Sequence, residues 1–283
     1  MGELKLTQIW IYPIKSLGGI QLPEAQVMGK GLRYDRRWML IDDTLRALTQ
    51  RDHPLMALFK LKFYDAGLTI TFKDDSINIP FSHSSIPSPL DVQIWDDTIT
   101  ALEVSKEHSE WFSDRMNTTC RLVVFPEENR RQIEPALVPT PANVSLADSY
   151  PFLIIGQSSL DDLNARLDNP VAMKRFRPNF VFTGGQPYAE DCWKDFTIGA
   201  TRFRGIRPSS RCVLITIDPE TGVKGKEPLR TLATYRRWNN KTYFGQNAIS
   251  IDHTVIRAGD VITLQNSYPV GKEQLAGTSD TRV

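Results

Sequence analysis

The sequence predicts a mainly β protein with a few helices, an α+β protein built as two β-barrel-like domains. Two observations support this class. Apolar and polar residues alternate over short segments joined by tight turns, a pattern typical of antiparallel hairpins. Helical spacing of apolar residues is confined to three segments. Closely spaced hairpins favour a barrel or a sandwich over a parallel α/β sheet.

Most of the first half of the chain is predicted as strand. Residues 5–14 (KLTQIWIYPI) show partial alternation and predict the first strand. Residues 59–72 (FKLKFYDAGLTITF) alternate on both sides of a polar turn and predict a hairpin. Residues 92–104 (VQIWDDTITALEV) repeat this pattern, with the turn expected at Asp96 and Asp97.

Three helices are predicted. The first spans residues 105–116 (SKEHSEWFSDRM). The second spans 158–167 (SSLDDLNARL), with Ser158 as its N-cap and leucines on one face. The third spans 227–238 (EPLRTLATYRRW), with Pro228 at its first helical position. We place a domain boundary near the end of the first helix, which divides the chain into an N-terminal domain (1–120), a second domain (121–268) and a flexible tail (269–283).

Composition and charge exclude several classes of function. The net charge of +1 gives no general reason to expect a nucleic-acid partner. The first 15 residues (MGELKLTQIWIYPIK) contain no apolar run long enough for a signal peptide or a membrane anchor, so no membrane partner is expected. Cys120, Cys192 and Cys212 lie far apart and form no C-x-x-C pair. We therefore expect a reducing compartment, the cytoplasm.

Positive charge is concentrated between residues 172 and 212. Eight basic residues in this segment stand against three acidic ones. The basic residues are Lys174, Arg175, Arg177, Lys194, Arg202, Arg204, Arg207 and Arg211. Such a cluster suits an anionic small ligand, because guanidinium groups match phosphate oxygens. The alternative, that half of these side chains are solvated strand faces, fits the sequence equally well.

Cys212 ends the polar stretch 207–211 (RPSSR), and the apolar run after it predicts a strand. Two interpretations of this thiol are open. It is either the first inward-facing residue of a buried strand, or a thiolate favoured by its arginine neighbours. A thiolate is a soft metal ligand, and one thiolate leaves most of a coordination sphere unfilled. A metal at Cys212 must therefore bring its other ligands as a prebuilt cofactor. We interpret Cys120 and Cys192 as packing residues.

The turn after the first strand carries a cation and a hydroxyl. Lys15 and Ser16 precede a pair of glycines, in an arrangement that can bind a phosphate. A solvated turn lysine is the more common alternative. The stretch 33–42 (RYDRRWMLID) adds three arginines where a strand begins, and one of them can face inward.

Nine short motifs occur in a fixed order along the chain. They are YPIKSLGG, GLRYDRRWMLID, LTQRDHP, SLDDLNARL, RFRPNFVFTGG, YAEDCW, SSRCVLITIDPETG, KEPLRTLATYRR and FGQN. Together they resemble MOSC-domain proteins with an N-terminal β-barrel domain, a family that includes the mitochondrial amidoxime reducing component and bacterial hydroxylaminopurine-resistance proteins. The resemblance covers roughly residues 5 to 265. Many relatives have C-S-R-C where this chain has S-S-R-C, so the second cysteine position is kept.

This resemblance implies a pyranopterin molybdenum cofactor in a cleft between the two domains. Cys212 matches the family's molybdenum ligand, and its single thiol suffices because the pterin dithiolene supplies further sulfur. Asp148 matches more loosely and is a candidate proton donor. The residues that match the family's phosphate- and pterin-binding positions, or line the site, are Lys15, Ser16, Arg36, Ser149, Arg177, Asn179, Ser210 and Arg211.

The implied activity is that of a molybdenum-dependent oxidoreductase. Its substrates are expected to be N-hydroxylated small molecules: hydroxylamines, amidoximes and N-hydroxylated bases. The chain has no second redox motif, so a separate ferredoxin- or cytochrome-like protein with its own reductase is expected to donate electrons. The alternative is a carrier of the cofactor or of sulfur, with Cys212 as ligand or persulfide. A third possibility is a β-barrel protein that keeps only the fold.

Overall fold

The computed structural model describes residues 2–81 and 89–268, and the predicted tail 269–283 lies outside the described residues. Strands dominate, which confirms the predicted mainly β class. The strands are β1 (Lys5–Ile11), β2 (Ile20–Leu22), β3 (Glu24–Met28), β4 (Gly31–Leu32), β5 (Trp38–Ile41), β6 (Lys60–Tyr64), β7 (Gly67–Phe72), β8 (Asp75–Pro80), β9 (Pro89–Ile94), β10 (Asp97–Glu103), β11 (Arg121–Val124), β12 (Phe152–Gly156), β13 (Phe180–Thr183), β14 (Trp193–Ile198), β15 (Thr201–Arg211), β16 (Arg237–Trp238), β17 (Lys241–Ser250), β18 (Val255–Arg257) and β19 (Ile262–Ser267). The α-helices are α1 (Lys106–Met116), α2 (Gln157–Asn164) and α3 (Leu229–Tyr235). Over the two described ranges, no helix has both the length and the hydrophobicity needed to span a bilayer.

The largest sheet has nine strands and curves into a barrel. Its order is β19-β14-β15-β17-β12-β13-β1-β2, with β16 paired to β17. Neighbours are antiparallel except β12 and β13, which run parallel. Backbone hydrogen bonds from Ile262 to Leu4 (2.8 Å) and from Leu6 to Asp260 (2.9 Å) join β1 to the start of β19. Large apolar side chains fill one core cluster of this sheet, among them Phe180, Phe196 and Phe203.

Three smaller sheets complete the molecule: β5-β11-β10-β9, β6-β7-β8 and β18-β3-β4. The first two enclose a second core together with α1, to which Leu40, Phe59 and Phe112 contribute. The other face of the four-stranded sheet packs against Leu146, next to the loop that leads to β12. Both faces of this sheet are therefore buried, and the loop after Leu146 is held close to it.

The turn between β1 and β2, two strands of the barrel sheet, contacts the four-stranded sheet. The backbone N–H of Lys15 donates to the carbonyl of Trp38 (2.7 Å), so the turn after β1 is attached to β5. Because β1 and β2 complete a sheet whose other strands follow residue 150, the barrel draws strands from both sides of residue 120. The division of the chain at residue 120 stays a prediction.

Several local predictions are confirmed. β1 spans Lys5–Ile11, and the hairpin of β6 and β7 turns at Asp65 and Ala66. Helix α1 begins after Ser105, whose hydroxyl accepts a hydrogen bond from the backbone N–H of His108 (3.2 Å). In these segments the local sequence preference and the tertiary packing favour the same structure.

Other predicted boundaries are wrong. The turn between β9 and β10 consists of Trp95 and Asp96 rather than Asp96 and Asp97. Helix α2 has Gly156 as its N-cap, so Ser158 lies inside the helix. Helix α3 begins at Leu229, which makes Pro228 the N-cap residue. These errors are one or two residues, and the predicted helices 158–167 and 227–238 also extend three residues beyond the observed ends at Asn164 and Tyr235.

The strand predicted after Cys212 is also wrong. The polar segment before Cys212 is the end of β15, where Arg207 pairs with Asn247 and Arg211 pairs with Thr242 of β17. A short 3-10 helix follows at Val213–Thr216. Pairing with β17 supplies the hydrogen bonds that make residues 207–211 (RPSSR) a strand. The backbone turns at Cys212, so the apolar run after it does not extend that strand. Cys212 therefore sits just past the end of β15, between a strand and a 3-10 helix.

Candidate functional site

A cleft forms where the turn after β1, the loop before β12 and the end of β15 meet. Its cavity volume is about 180 Å³. Every candidate site residue from the sequence lines it. These residues are Lys15, Ser16, Arg36, Asp148, Ser149, Arg177, Asn179, Ser210, Arg211 and Cys212. The fold therefore brings together residues from both ends of the chain.

The turn that carries Lys15 is buried and tightly held. The backbone N–H of Gly18 donates to the carbonyl of Phe59 (3.1 Å). A Cβ on Gly18 would lie 2.5 Å from that oxygen, so the approach requires glycine. The exposed fraction of Lys15 is 5% and that of Ser16 is 6%. The alternative of a solvated turn lysine is therefore wrong.

One end of the cleft, which we call the carboxylate end, is lined by Lys15, Arg51 and Asp148. Trp95 is not a lining residue but contacts two of them, Arg51 and Asp148. The Lys15 ammonium donates to the carbonyl of Leu146 (2.8 Å) and to one carboxylate oxygen of Asp148. Arg51 Nη2 donates to the other oxygen (2.5 Å). Burial lowers the pKa of Lys15 to about 8, although the charge of Asp148 acts in the opposite direction.

Asp148 is ionised at neutral pH. Its removal from water acts to raise the pKa, but the charges of Lys15 and Arg51 outweigh this effect and hold the pKa of Asp148 well below its usual range. Arg51 also donates from Nε to the Sγ atom of Cys212 (3.2 Å). Arg51 thus connects the carboxylate to the thiol. An ionised Asp148 has no proton to give, which disfavours the interpretation of this residue as the proton donor.

The opposite end, which we call the arginine end, is formed by Tyr12, Arg36, Arg177 and Arg211. The guanidinium carbons of Arg36 and Arg177 lie 4.4 and 4.1 Å from the centroid of the Tyr12 ring. Arg36 forms an ion pair with Asp35 (2.6 Å). Burial, followed by the charge of Arg36, lowers the pKa of Arg177 to about 10. Burial raises the pKa of Tyr12 to about 12, so this phenol stays neutral between the two cations.

Arg211 completes the arginine end next to the thiol. Its Nη2 donates to the carbonyl of Phe176 (2.6 Å) and its Nη1 to the hydroxyl of Ser209 (3.2 Å). Its Nε is buried and has no hydrogen-bond partner among the described residues. Burial lowers the pKa of Arg211 to about 10. A buried N–H without a partner is rare, and here it belongs to a side chain that lines the cleft.

Three residues of the cleft have left-handed backbone conformations. The φ angles are 67° at Ser16, 49° at Arg36 and 56° at Arg177. Such angles cost of order 1 kcal/mol or more in a residue with a side chain, and they persist where the surroundings require them. The strain is concentrated in residues that carry the polar groups of the cleft.

Asn179 is different, because its amide is fully used within the protein. Its Oδ1 accepts from the backbone of Leu153 (3.2 Å) and from Arg36 (3.4 Å). Its Nδ2 donates to the carbonyl of Trp10 (3.1 Å) and to Asp35 (3.0 Å). The amide therefore links β1 to β12 and positions Arg36, which leaves it little capacity to bind a ligand.

Seven of the eight basic residues of segment 172–212 divide into two groups, and the eighth, Lys194, lies over the Tyr268 ring (5.6 Å). Arg177, Arg207 and Arg211 line the cleft. Four others form ion pairs elsewhere: Lys174 with Glu220, Arg175 with Asp218, Arg202 with Asp252 and Arg204 with Asp195. The charge excess seen in the sequence is therefore only partly a ligand site.

Sequence reasoning assigned no role to four residues that shape the cleft: Tyr12, Asp35, Arg51 and Trp95. Arg51 lies within LTQRDHP, one of the nine motifs that carry the family resemblance. Its contact with Cys212, however, joins residues that are 161 positions apart in the chain. No local pattern encodes such a contact.

The charges of the cleft favour an anionic ligand. Among the described residues that line it, six are lysine or arginine and one, Asp148, is a carboxylate. Asp148 is already shared by Lys15 and Arg51, and Asp35 pairs with Arg36, so the guanidinium groups of Arg177 and Arg211 retain uncompensated charge. A soft sulfur ligand, Cys212 Sγ, lies in the same cleft.

Comparisons with known proteins identify two family domains in the chain. The model of the MOSC N-terminal beta barrel domain matches residues 3–119, and that of the MOSC domain matches residues 141–263. The mitochondrial amidoxime-reducing component 1 of Mus musculus is 33% identical over 279 residues, which cover 92% of this chain and 82% of that protein. The mitochondrial amidoxime reducing component 2 of Homo sapiens is 32% identical over 241 residues, covering 82% and 72%. The molybdenum cofactor sulfurase of Arabidopsis thaliana is 32% identical over 268 residues, covering 85% of this chain and 32% of that protein.

Proposed function

Because the chain belongs to the family of MOSC-domain proteins with the MOSC N-terminal β-barrel domain, we propose that it is a molybdenum-cofactor-dependent oxidoreductase that reduces N-hydroxylated compounds. One observation carries this proposal: a single thiol, Cys212, shares a cleft with six cationic side chains. The amidoxime-reducing relatives support the choice of N-hydroxylated substrates.

The residues of the cleft fit the chemistry of a pyranopterin molybdenum cofactor. Its phosphate is an anion, which suits the uncompensated guanidinium groups of Arg177 and Arg211. The buried Nε of Arg211, which has no partner among the described residues, is a donor available to such a group. Thiolates are good ligands for soft metals, and Cys212 Sγ would be the protein ligand to molybdenum. When bound, the cofactor supplies two-electron redox chemistry and accepts oxygen.

The protein's own residues then divide into binding and positioning groups. Lys15, Ser16, Ser149 and Ser210 line the cleft with polar hydrogens that can bind phosphate or pterin. Arg36 is held against Tyr12 by its ion pair with Asp35. We assign Asn179 a positioning role, since its amide is already saturated by protein groups.

Proton supply is the second requirement of the reaction. Reduction of an N–OH group consumes two protons and two electrons and releases water, leaving an amine or an amidine. The ionised Asp148 does not hold a proton at neutral pH, whereas Lys15, with a pKa of about 8, holds one that is readily transferred. We therefore propose that Lys15 Nζ supplies a proton and that Asp148, which it contacts, positions it.

The test is to measure molybdenum and pterin in the purified protein and to assay amidoxime reduction with a chemical reductant. We expect stoichiometric molybdenum and turnover, and we expect both to be insensitive to Cys192→Ser, a matched change of a half-buried thiol outside the cleft. A cofactor-loaded protein that reduces no hydroxylamine or amidoxime would refute the enzymatic proposal.

The second candidate function is a carrier. The similarity to a molybdenum cofactor sulfurase favours this alternative, in which Cys212 holds the cofactor or a persulfide. Molybdenum bound without any turnover, or sulfane sulfur found on Cys212 by mass spectrometry, would favour the carrier over the reductase.

Electrons for the reductase are proposed to come from a separate ferredoxin- or cytochrome-like protein with its own reductase. Such redox contacts are small, typically below about 1,200 Å², and transient. They are partly electrostatic, so turnover with the donor should fall as salt increases. Rapid turnover of the pure protein with NADH or NADPH alone would rule out this partner.

A further inference from the structure

We propose that Trp95 is a substrate-docking residue, whose indole stacks on the flat π-system of an N-hydroxylated aromatic compound at the mouth of the cleft. This inference rests on the proposed function and adds to it a residue that determines specificity. It predicts a preference for planar aromatic substrates over small aliphatic ones.

The first support is the turn that carries Trp95. It is the first residue of the two-residue turn between β9 and β10, and its φ angle is 55°. A positive φ at this position favours glycine, because a Cβ is strained there. The equivalent position between β14 and β15 is Gly199, whose φ is also 55°. A large aromatic residue in such a position contradicts local preference, as is common at functional sites.

The second support is the orientation of the ring. Trp95 Nε1 donates to Asp148 Oδ1 (3.3 Å), and the guanidinium carbon of Arg51 lies 4.7 Å from the indole ring. Arg51 in turn reaches Cys212 Sγ at 3.2 Å. The indole is therefore fixed by two contacts, and one side chain separates it from the thiol.

The third support is exposure. Trp95 is 45% exposed although its orientation is fixed. The Arg51 guanidinium lies over the ring, and Trp95 contacts the cleft through two lining residues, Arg51 and Asp148. A rigid, half-exposed aromatic surface next to charged hydrogen-bonding groups suits a ligand that is flat and apolar at one end and polar at the other. An aryl amidoxime or an N-hydroxylated heteroaromatic base has this form.

The experiment compares two substrates with the same reacting group, benzamidoxime and acetamidoxime. The variants are Trp95→Gly, which removes the ring and relieves the turn, and Trp95→Phe, which keeps a flat ring. Lys73→Gly is the matched control, because Lys73 is the first residue of the two-residue β7–β8 turn and has a φ of 53°. Its ammonium lies over the Phe72 ring, whereas Trp95 contacts the cleft residues Asp148 and Arg51. All three are assayed as loaded protein with one chemical reductant.

We expect the ratio of the KM for benzamidoxime to the KM for acetamidoxime to rise about tenfold in Trp95→Gly. Any change in kcat that follows from the lost hydrogen bond to Asp148 should be the same for both substrates. Trp95→Phe should retain most of the affinity. The melting temperature of Trp95→Gly should not fall relative to that of Lys73→Gly, since glycine fits both turns. A purely structural Trp95 would instead show a stability loss without a substrate-dependent KM.

An unchanged ratio of the two KM values overturns the proposal, with or without an equal loss of kcat for both substrates, because Trp95 would then act only through Asp148 and Arg51. If wild-type protein reduces neither compound, the proposed function fails but docking is still decided by calorimetry. Binding of benzamidoxime that Trp95→Gly loses supports docking, and absence of binding to wild type overturns it.

Discussion

The two ends of the cleft carry similar cations but balance them in opposite ways. At the carboxylate end, Asp148 lies between Lys15 and Arg51, and its charge, together with that of Cys212, raises the pKa of Arg51 in spite of burial. At the arginine end, burial lowers the pKa of both Arg177 and Arg211 to about 10. At the first end both cations contact a carboxylate, although burial still lowers the pKa of Lys15 to about 8. At the second end Asp35 pairs with Arg36, whereas Arg177 and Arg211 form no ion pair among the described residues.

This difference indicates that the two ends of the cleft have different roles. Buried cations that outnumber their carboxylate partners destabilise the folded protein unless an anion binds. The arginine end, where Asp35 pairs with Arg36 but not with Arg177 or Arg211, is therefore suited to retain an anionic group. A balanced cluster holds its side chains in place without a ligand, so the carboxylate end is suited to orient substrate and protons. The predictions below test this contrast, beginning with the residue where both ends meet.

The largest effect is expected from Cys212→Ser. Serine has a harder and far less acidic ligand atom than cysteine, so turnover should fall below detection while the fold remains nearly unchanged. Amidoxime assays and circular dichroism of the variant, beside Cys192→Ser, check this expectation. Wild-type activity in Cys212→Ser would show that the thiol is not the ligand.

The arginine end is tested by Arg177→Met. Charge-assisted contacts to a phosphate contribute about 1.5–3 kcal/mol each, so cofactor affinity should fall by roughly tenfold to a hundredfold. The cofactor-free variant, however, should be at least as resistant to urea as the cofactor-free wild type, because a buried uncompensated cation is gone. Full molybdenum content, or a clear loss of stability without cofactor, would contradict the proposed contrast.

The carboxylate end is tested by Asp148→Asn, which should act with the opposite sign on the cofactor-free protein. Lys15 and Arg51 lose their shared anion, and the free energy of unfolding should fall by about 1–2 kcal/mol, a modest value because the Asp148 side chain is 40% exposed. Urea unfolding of both variants at one pH measures the difference. Equal stability of Asp148→Asn and wild type would show that the two ends are not distinct.

The smallest expected effect concerns pH. A lysine ordinarily titrates near about 10.4, and in the folded protein the pKa of Lys15 is about 8. The native state therefore binds fewer protons than the unfolded state above pH 8, so stability rises with pH in this window. Relative to Lys15→Met, wild type should gain about 1 kcal/mol between pH 8 and 9.

The pH comparison uses cofactor-free protein unfolded in urea at both pH values. Lys30, whose pKa burial also lowers to about 8, is present in both proteins, so its contribution cancels in the difference. If the difference in unfolding free energy between wild type and Lys15→Met stayed constant from pH 8 to pH 9, the pKa of Lys15 would not be lowered to about 8.

Elements with strong local signals were predictable from the sequence. The Ser105 cap and the apolar spacing after it specify α1, and the alternation on both sides of Asp65 specifies the β6–β7 hairpin. The β9–β10 turn was misplaced by one residue, because nothing in local propensity predicts a tryptophan at positive φ. The strand expected after Cys212 failed because pairing with β17 places the strand before it.

The sequence by itself determined the mainly β class, the isolated thiol and, through nine ordered motifs, the set of residues expected in one site. The tertiary structure decided which charges are balanced. Whether Lys15 is solvated or buried, whether Asp148 is ionised, and which arginines reach the cleft depend on contacts such as that of Arg51 with Cys212, 161 positions apart. Electrostatic free energies depend on the distances between charges and on their burial, and the local sequence specifies neither quantity.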